Sequence, residues 1–190
     1  MRTITGKKEN NWHGTKVQMK QRKIAMGGGC HWCTEAVFQS LIGVEKVEQG
    51  YVASINENNT FSEAVIIHFD SEFISLKTLI EIHLYTHKST SNHSMRKKYR
   101  SAVYTFFNDQ EKAAKAIIHH LQRDFKDKLI TQVFPFSEFK SSREEIQNYY
   151  RKNPNKPFCK TYINPKLKLL LNKFSTYIKD DKIVHLATSN

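Results

Sequence analysis

Three consecutive glycines and a cysteine separate a short apolar run from an amphipathic one near the start of the chain. The run Arg22–Met26 is predicted to be a strand, and apolar side chains four residues apart predict a helix from His31 to Leu41. Glycines 27–29 allow the backbone between them to turn tightly and to approach a ligand. Cys30 then falls at the helix N-terminus, where partial positive charge and unpaired N–H groups favour a thiolate. We therefore predict that Cys30 is a nucleophile.

Strands and helices alternate along the rest of the chain. Further strands are predicted at Val44–Ala53, Phe61–Phe69, Arg100–Phe107 and Leu129–Phe134. Further helices begin near Ser75, Asn108, Ser142 and Asn164; Ser75 is a candidate N-cap, and Asn108 and Ser142 begin capping-box patterns. The order βαββαβαβαα indicates one mixed sheet covered by helices, and its βαββαβ opening is the ferredoxin-like order. We predict an α+β (mixed α/β) fold, a ferredoxin-like two-layer sandwich with extra C-terminal helices.

Length and hydropathy predict one domain. A chain of 190 residues with 39% hydrophobic residues can bury a core without a second domain. We predict a disordered N-terminal extension over residues 1–21, a single catalytic domain over 22–178 and a flexible tail over 179–190. The apolar runs are too short to cross a membrane, and the N-terminus lacks the apolar stretch of a signal peptide. We therefore expect a cytoplasmic protein with no membrane partner.

The cysteine count and the net charge restrict the function further. Three cysteines argue against a secreted disulfide scaffold and favour reduced thiols with a catalytic, redox or metal-binding function. A net charge of +12 is of the kind that attracts nucleic acid or anionic membranes. However, the lysines are scattered and match no nucleic-acid motif, so we expect a solvated basic surface and no nucleic-acid partner.

Cys30 and Cys33 form a C-x-x-C pair, which leaves three interpretations open. The pair is typical of a dithiol redox centre, of half a zinc site, or of one reactive and one structural cysteine. A zinc site would need two further ligands, for which the candidates are His31, His83, His87, His93 and Cys159. No second C-x-x-C or finger-type histidine pair accompanies the first, so we predict no metal.

The residues around the pair resemble a known active-site signature. Gly28–Glu35 (GGCHWCTE) closely resembles the Gly-Gly-Cys-aromatic-Trp-x-x-Glu motif of type A peptide methionine sulfoxide reductases. The resemblance extends through Gly50-Tyr51, Phe61–Val65, Tyr99–Ala102 and Asn153–Cys159, and covers about Lys23 to Leu171. It implies an oxidoreductase that reduces methionine S-sulfoxide, free or in oxidised proteins, and so repairs oxidative damage.

The resemblance also implies roles for individual side chains. Cys30 would attack the sulfoxide sulfur, and Glu63 would be the acid, because a buried carboxyl group stays protonated to higher pH. Tyr99 matches a family tyrosine that donates a hydrogen bond to the sulfoxide oxygen. Trp32 and His31 would form the wall against the substrate methyl group, although the family usually has Phe in place of His31.

Recycling is implied to proceed through a second thiol. Cys159 occupies the family position of the resolving thiol, in a Pro- and Asn-bearing loop, and Cys33 is a second candidate for the same reaction. Thioredoxin or a similar dithiol, such as dithiothreitol, would then reduce the disulfide. No cofactor is expected, and we expect a monomer.

The chain departs from the family pattern in two loops. The loop between Tyr51 and Phe61 is short and lacks the usual substrate-contacting tyrosine. Residues 89–98 take the place of a glycine-rich loop that contains an aspartate in the family, and His93 or Ser94 is a candidate substitute for that aspartate.

Two alternative functions stay open from the residues alone. One is a general dithiol-disulfide oxidoreductase that uses the C-x-x-C pair, and the other is a basic zinc-containing nucleic-acid-binding protein.

Overall fold

The computed structural model describes residues 21–179 together with Ile183 and Leu186. The predicted N-terminal extension lies outside the described residues except for Gln21, which begins the first strand. Most of the predicted C-terminal tail also lies outside them, while the side chains of Ile183 and Leu186 are buried. The domain boundaries stay predictions.

In the described residues, six strands and five α-helices follow one another in the predicted order, with one additional strand. The strands are β1 (Gln21–Gly27), β2 (Val44–Ala53), β3 (Ser62–Asp70), β4 (Ala102–Thr105), β5 (Gln132–Pro135) and β6 (Glu138–Ser141). The helices are α1 (His31–Gln39), α2 (Leu76–Thr86), α3 (Asn108–Leu121), α4 (Tyr149–Lys152) and α5 (Asn164–Lys173). Short 3₁₀ turns lie at Asn56–Asn58, Ser94–Lys97, Gln122–Asp124, Glu144–Ile146 and Ser175–Tyr177, and a π-helical turn spans Cys159–Ile163.

All six strands form one mixed sheet in the order β5-β4-β1-β3-β2-β6. Every neighbouring pair is antiparallel except β4 and β5, which are parallel. The inner four strands, β4-β1-β3-β2, have the ferredoxin-like order, so the predicted fold class is confirmed.

The main core lies between the sheet and the helices. Sheet residues Ile24, Met26, Val65, Ile67 and Val103 pack there with helix residues that include Val37, Phe38, Leu79, Ile80, Leu167 and Leu170, all buried. A smaller cluster on the opposite face joins Ala25, Val52, Ile66 and Tyr104 to the aromatic rings of Phe134, Phe136 and Phe139. Both faces of β3 are therefore covered, as its nearly continuous apolar sequence predicts.

Strand β6 is not visible in the sequence pattern, because it is short, polar and mostly exposed. It forms by pairing with the edge of β2, where Gly50 lies opposite Ser141. A Cβ atom added at Gly50 would lie 2.3 Å from the carbonyl oxygen of Lys140. The absence of a side chain at this position is what lets β6 approach.

One of the three predicted capping residues is confirmed and two are wrong. The Ser75 side chain accepts a hydrogen bond from the Thr78 N–H at 3.0 Å and caps α2. Helix α3 instead has Phe107 at its N-cap, with no side-chain cap. Ser142 turns toward the sheet and donates to the Gln49 side chain at 2.8 Å, so its hydroxyl does not cap a helix.

Candidate active site

Cys30 is the N-cap residue of α1 and follows directly on the glycine turn that ends β1. Its carbonyl oxygen accepts hydrogen bonds from the Cys33 and Thr34 N–H groups at 3.1 and 3.2 Å, which begins the helix. A Cβ atom added at Gly27 would lie 2.8 Å from the Glu63 carbonyl oxygen, and one at Gly28 would overlap His87. The glycines are required because neighbouring segments pack directly against this turn.

The two thiols of the C-x-x-C pair change each other's pKa. Hydrogen bonding by the Cys33 side chain is the main cause that lowers the pKa of Cys30, while burial and the Glu63 carboxylate act in the opposite direction. The same interaction, with burial, raises the pKa of Cys33 far above its ordinary value. Burial also raises the pKa of Cys159. Cys30 is therefore the first of the three thiols to ionise, and the main cause is Cys33.

Glu63 lies in β3 with its carboxyl group buried beneath the start of α1. One of its oxygens, Oε2, accepts a hydrogen bond from the His31 backbone N–H at 3.1 Å. The other, Oε1, lies 3.4 Å from the Lys98 ammonium group. This carboxyl group thus meets the same helix N-terminus as Cys30, although the two residues come from different elements.

His31 is buried, with its Nδ1 atom 3.1 Å from the Gly50 carbonyl oxygen. Burial is the main cause that lowers its pKa, so the imidazole ring is neutral near pH 7. Trp32 stacks face to face on Tyr149 at 4.1 Å between ring centroids, and Phe158 meets it edge-on at 5.2 Å. His31 and Trp32, the two residues predicted to contact the substrate methyl group, are therefore covered largely by other residues of the protein.

A cavity of about 490 Å³ opens in front of Cys30. Cys33, Tyr99, Phe158, Tyr162 and Lys166 are among the residues that line it with Cys30. The structure thus places Tyr99 on the same cavity as Cys30, as the predicted site requires. The structure does not place four other predicted site residues in this lining: Glu63, His31, Trp32 and Cys159.

Cys159 is fully buried, and the prediction that it lies in a loop is wrong. It is the first residue of the π-helical turn that follows the Pro-bearing segment, and its thiol donates to the Asn153 carbonyl oxygen at 3.4 Å. The Cys33 thiol reaches the Tyr162 carbonyl oxygen of the same turn at 3.8 Å. All three cysteines are free thiols, so a disulfide between Cys30 and Cys159 would require this turn to move.

Arg96 holds the loop that carries Tyr99, and the sequence analysis missed this function. Its guanidinium group donates to the Ser91 carbonyl at 2.9 Å, to Gly28 at 3.0 Å and to Tyr99 at 3.1 Å. It also donates to the Lys88 carbonyl. The sequence shows only a short basic run here, and nothing in that run indicates acceptors so far apart in the chain.

Two lysines near the thiols were also missed by the sequence analysis. Lys98 pairs with Glu63, as described above, and the Lys166 ammonium group donates to the Thr86 carbonyl oxygen beside the thiol pair. The pKa of Lys166 is lowered, mainly by burial, and the nearby Cys33 and Cys30 act in the opposite direction. Lys98 directly precedes Tyr99, which is the one local signal that could have drawn attention to it.

The histidines considered as zinc ligands have other partners. His83 and His87 stack at 4.1 Å between ring centroids, and His87 Nε2 lies 2.8 Å from the Ser101 hydroxyl oxygen. Within residues 21–179 and the two described residues beyond them, no group of three or more His, Cys, Asp or Glu side chains could hold a metal ion. No helix in the described part of the chain is long and apolar enough to cross a membrane.

A family model described as peptide methionine sulfoxide reductase matches residues 22–178. The chain belongs to this family. It is 35% identical to the peptide methionine sulfoxide reductase MsrA of Acinetobacter baumannii (strain SDF) over 173 residues, 84% of this chain and 99% of that protein. It is 34% identical to MsrA of Deinococcus radiodurans over 175 residues, 84% of this chain and 85% of that one.

Solved structures of methionine sulfoxide reductases have the same fold. The reduced form of Mxr1 from Saccharomyces cerevisiae gives a TM-score of 0.67 at 21% identity, covering 76% of this chain and 92% of that one. Methionine sulfoxide reductase A of Corynebacterium diphtheriae gives a TM-score of 0.63 at 22% identity, and the match covers 73% of this chain and 77% of that one.

Membership of the peptide methionine sulfoxide reductase family decides between the functions that the C-x-x-C pair left open. The chain is an oxidoreductase that reduces methionine sulfoxide, which confirms the predicted enzyme class. The alternatives, a general dithiol-disulfide oxidoreductase and a zinc-containing nucleic-acid-binding protein, are therefore not retained.

Proposed function

We propose that Cys30 carries out the reduction and that its substrate is the S epimer of methionine sulfoxide. The Cys30 sulfur attacks the electrophilic sulfoxide sulfur, the S–O bond breaks, and the oxygen leaves on Cys30 as a sulfenic acid while methionine is released. The observation that carries this proposal is the position of Cys30 on an open cavity, with a thiol whose pKa is lowered by the Cys33 hydrogen bond.

The proton for the sulfoxide oxygen is assigned to Glu63, and Tyr99 is assigned a hydrogen bond to that oxygen. The His31 N–H and the Lys98 ammonium group hold one Glu63 oxygen each, which fixes the carboxyl group beside the start of α1. The Tyr99 ring lines the cavity from the opposite loop. Trp32 and His31 remain the proposed contacts of the substrate methyl group.

A second thiol then condenses with the sulfenic acid, forming a disulfide and releasing water. Cys33 lies in the first turn of α1 and lines the same cavity as Cys30, whereas Cys159 first has to leave its buried position. We propose that both thiols can resolve Cys30. The two electrons come from thiols throughout, so the reaction needs no cofactor.

The proposed reductant is thioredoxin or a similar dithiol. A structure of Mxr1 from Saccharomyces cerevisiae in complex with Trx2 supports this choice, since it matches this chain with a TM-score of 0.54 at 19% identity. Oxidised proteins or free methionine sulfoxide would be the substrate. A cytoplasmic monomer, with no nucleic-acid or membrane partner, remains the expected state.

An assay of both sulfoxide epimers with dithiothreitol as reductant tests the reaction. We expect turnover of the S epimer alone and none by Cys30→Ser. Glu63→Gln keeps an oxygen that can accept the His31 N–H bond but loses the acid, so kcat should fall about 10²-fold. A circular dichroism spectrum and melting temperature like those of the wild type would exclude misfolding. Turnover of the R epimer, or an active Cys30→Ser protein, would contradict the proposal.

Disulfide trapping tests the recycling route. Cys33→Ser and Cys159→Ser would each be mixed with excess substrate without reductant, blocked with N-ethylmaleimide and digested for mass spectrometry. We expect a Cys30–Cys159 linkage in the first variant and a Cys30–Cys33 linkage in the second. A Cys159→Ser protein without the Cys30–Cys33 linkage would remove Cys33 from the route.

A further inference from the structure

We infer that the active-site cavity prefers methionine sulfoxide in acidic polypeptide segments over methionine sulfoxide in basic ones. This inference rests on the proposed function and assigns it a substrate class. It is based on the size of the cavity, on the charges around its mouth and on the exposed apolar side chains at its rim.

The cavity is larger than a single amino-acid side chain needs. Its volume of about 490 Å³ lies in the range of clefts that enclose drug-sized ligands. Two of the large apolar side chains that line the cavity are exposed to solvent. The exposed fraction is 50% for Met95 and 57% for Tyr162. Exposed apolar side chains beside a polar rim mark surfaces that bind other molecules. Residues next to the methionine sulfoxide in a polypeptide would cover these two groups.

Three lysines lie at the cavity, and we call them the lysine rim. Lys88 and Lys166 line the cavity itself. The Lys98 ammonium group lies 5.1 Å from the centroid of the Tyr99 ring, which also lines the cavity. The lysine rim thus joins the loop before β4, which carries Lys88 and Lys98, to the first turn of α5, which carries Lys166.

No acidic side chain balances the lysine rim from within the cavity lining, which belongs entirely to the described residues. The Glu63 carboxyl group, which is not among the lining residues, is paired with Lys98 and with the His31 N–H, so it balances the charge of Lys98. The ammonium groups of Lys88 and Lys166 give the opening a net positive charge, which attracts anionic ligands and raises their association rate.

The positive charge favours acidic neighbours of the methionine sulfoxide in a polypeptide. Asp or Glu at the neighbouring positions adds negative charges that the lysine rim attracts, whereas Lys or Arg there would be repelled. The preferred substrate is therefore a methionine sulfoxide flanked by acidic residues.

Three pentapeptides of one length test this inference with dithiothreitol as reductant. Each is acetylated and amidated at its ends, with a central methionine S-sulfoxide flanked on both sides by Asp, Ser or Lys. We expect kcat/KM to fall in the order Asp, Ser, Lys, by about fivefold a step at low salt, since an exposed ion pair contributes up to about 1 kcal/mol. The differences should shrink as salt is added.

Lys88→Glu should lower kcat/KM for the Asp peptide and raise it for the Lys peptide. The matched control is Lys112→Glu, which makes the same change of charge at an exposed position on α3, outside the cavity lining. We expect this control to keep the wild-type order. Equal kcat/KM for the three peptides, or the wild-type order in Lys88→Glu, would overturn the inference.

Binding to Cys30→Ser separates this inference from the proposed function. The three peptides, labelled with a fluorophore, would be titrated by anisotropy, and we expect the same order of affinity as for turnover. If the wild type turned over none of the substrates, the proposed function would fail, and the order of affinities would still decide the inference. Equal affinities would overturn it.

Discussion

Cys33 acts on the chemistry of Cys30 through one hydrogen bond. While Cys30 is a thiolate, Cys33 donates to it and is held protonated, with its pKa raised. In the proposed reaction Cys30 becomes a sulfenic acid and no longer carries the negative charge that keeps the proton on Cys33. The proposal thus gives the same side chain two functions, to stabilise the thiolate before the reaction and to supply a second thiol after it.

Cys33→Ala should move the reactivity of Cys30 to higher pH. The lost hydrogen bond stabilised the thiolate, so the pKa of Cys30 rises and less thiolate is present at any pH below it. The measurement is the rate of Cys30 alkylation by iodoacetamide as a function of pH, in a Cys159→Ala background so that one thiol is followed.

Cys33→Ser is the matched control, because a hydroxyl group can still donate to the Cys30 sulfur. Its alkylation midpoint should lie between those of Cys33→Ala and the protein that retains Cys33. Identical midpoints for all three proteins would show that Cys33 does not stabilise the thiolate.

Among the elements, α1 and α4 are held together by a buried carboxyl group of the sequence motif. Glu35 accepts hydrogen bonds from the Asn148 and Tyr149 N–H groups at 2.9 and 3.2 Å and from the Gln49 side chain at 2.8 Å. This fixes the start of α4 and with it the Tyr149 ring, which stacks on Trp32. Burial is the main cause that raises the pKa of Glu35. The glutamate of the motif therefore positions the aromatic groups beside the thiol.

The loop before β4 is held by the guanidinium group of Arg96. Arg96→Ala removes the donors that join Ser91, Gly28 and Tyr99, and we expect the free energy of unfolding to fall by about 2 kcal/mol. Amide hydrogen exchange of residues 89–99 should become faster, and KM should rise because Tyr99 is less firmly placed.

Arg96→Lys is informative beside Arg96→Ala, because one ammonium group cannot reproduce the fixed fork of a guanidinium group. We expect it to restore only part of the stability, as measured by urea denaturation. Exchange rates like those of the wild type in both variants would contradict the assigned function of Arg96.

At the scale of the whole molecule, the chain after α5 returns to the turn between α1 and β2. The Tyr177 carbonyl oxygen accepts from the Ile42 N–H at 2.7 Å, and the Lys179 N–H donates to the Ser40 carbonyl at 3.0 Å. Beyond this contact, the side chains of Ile183 and Leu186 are buried in the main core. The C-terminal segment thus stabilises the helix that carries Cys30.

Deletion of residues 175–190 should lower the free energy of unfolding by about 3 kcal/mol, because two buried apolar side chains and the contacts with α1 are lost. Urea denaturation of the truncated and complete chains measures this difference. A midpoint unchanged by the deletion would contradict the packing described here.

Local patterns were enough to predict the strand, the glycine turn and the helix that place Cys30. They also predicted the ferredoxin-like order, because periodic apolar residues identify each element and the order of elements restricts the sheet. Ser75 was predicted as a cap from its position alone, since a cap depends on the residues directly after it. These features depend on neighbours in the sequence.

The sequence by itself determined the family and the element order and predicted Cys30 as the nucleophile, and only the tertiary structure decided what surrounds Cys30. Glu63 meets Lys98, Arg96 reaches Gly28, and the buried position of Cys159 depends on the π-helical turn. Strand β6 likewise exists only because the edge of β2 is available. The physical reason is that these contacts join residues far apart in the chain, whose distances are set by packing of the whole core and not by local spacing.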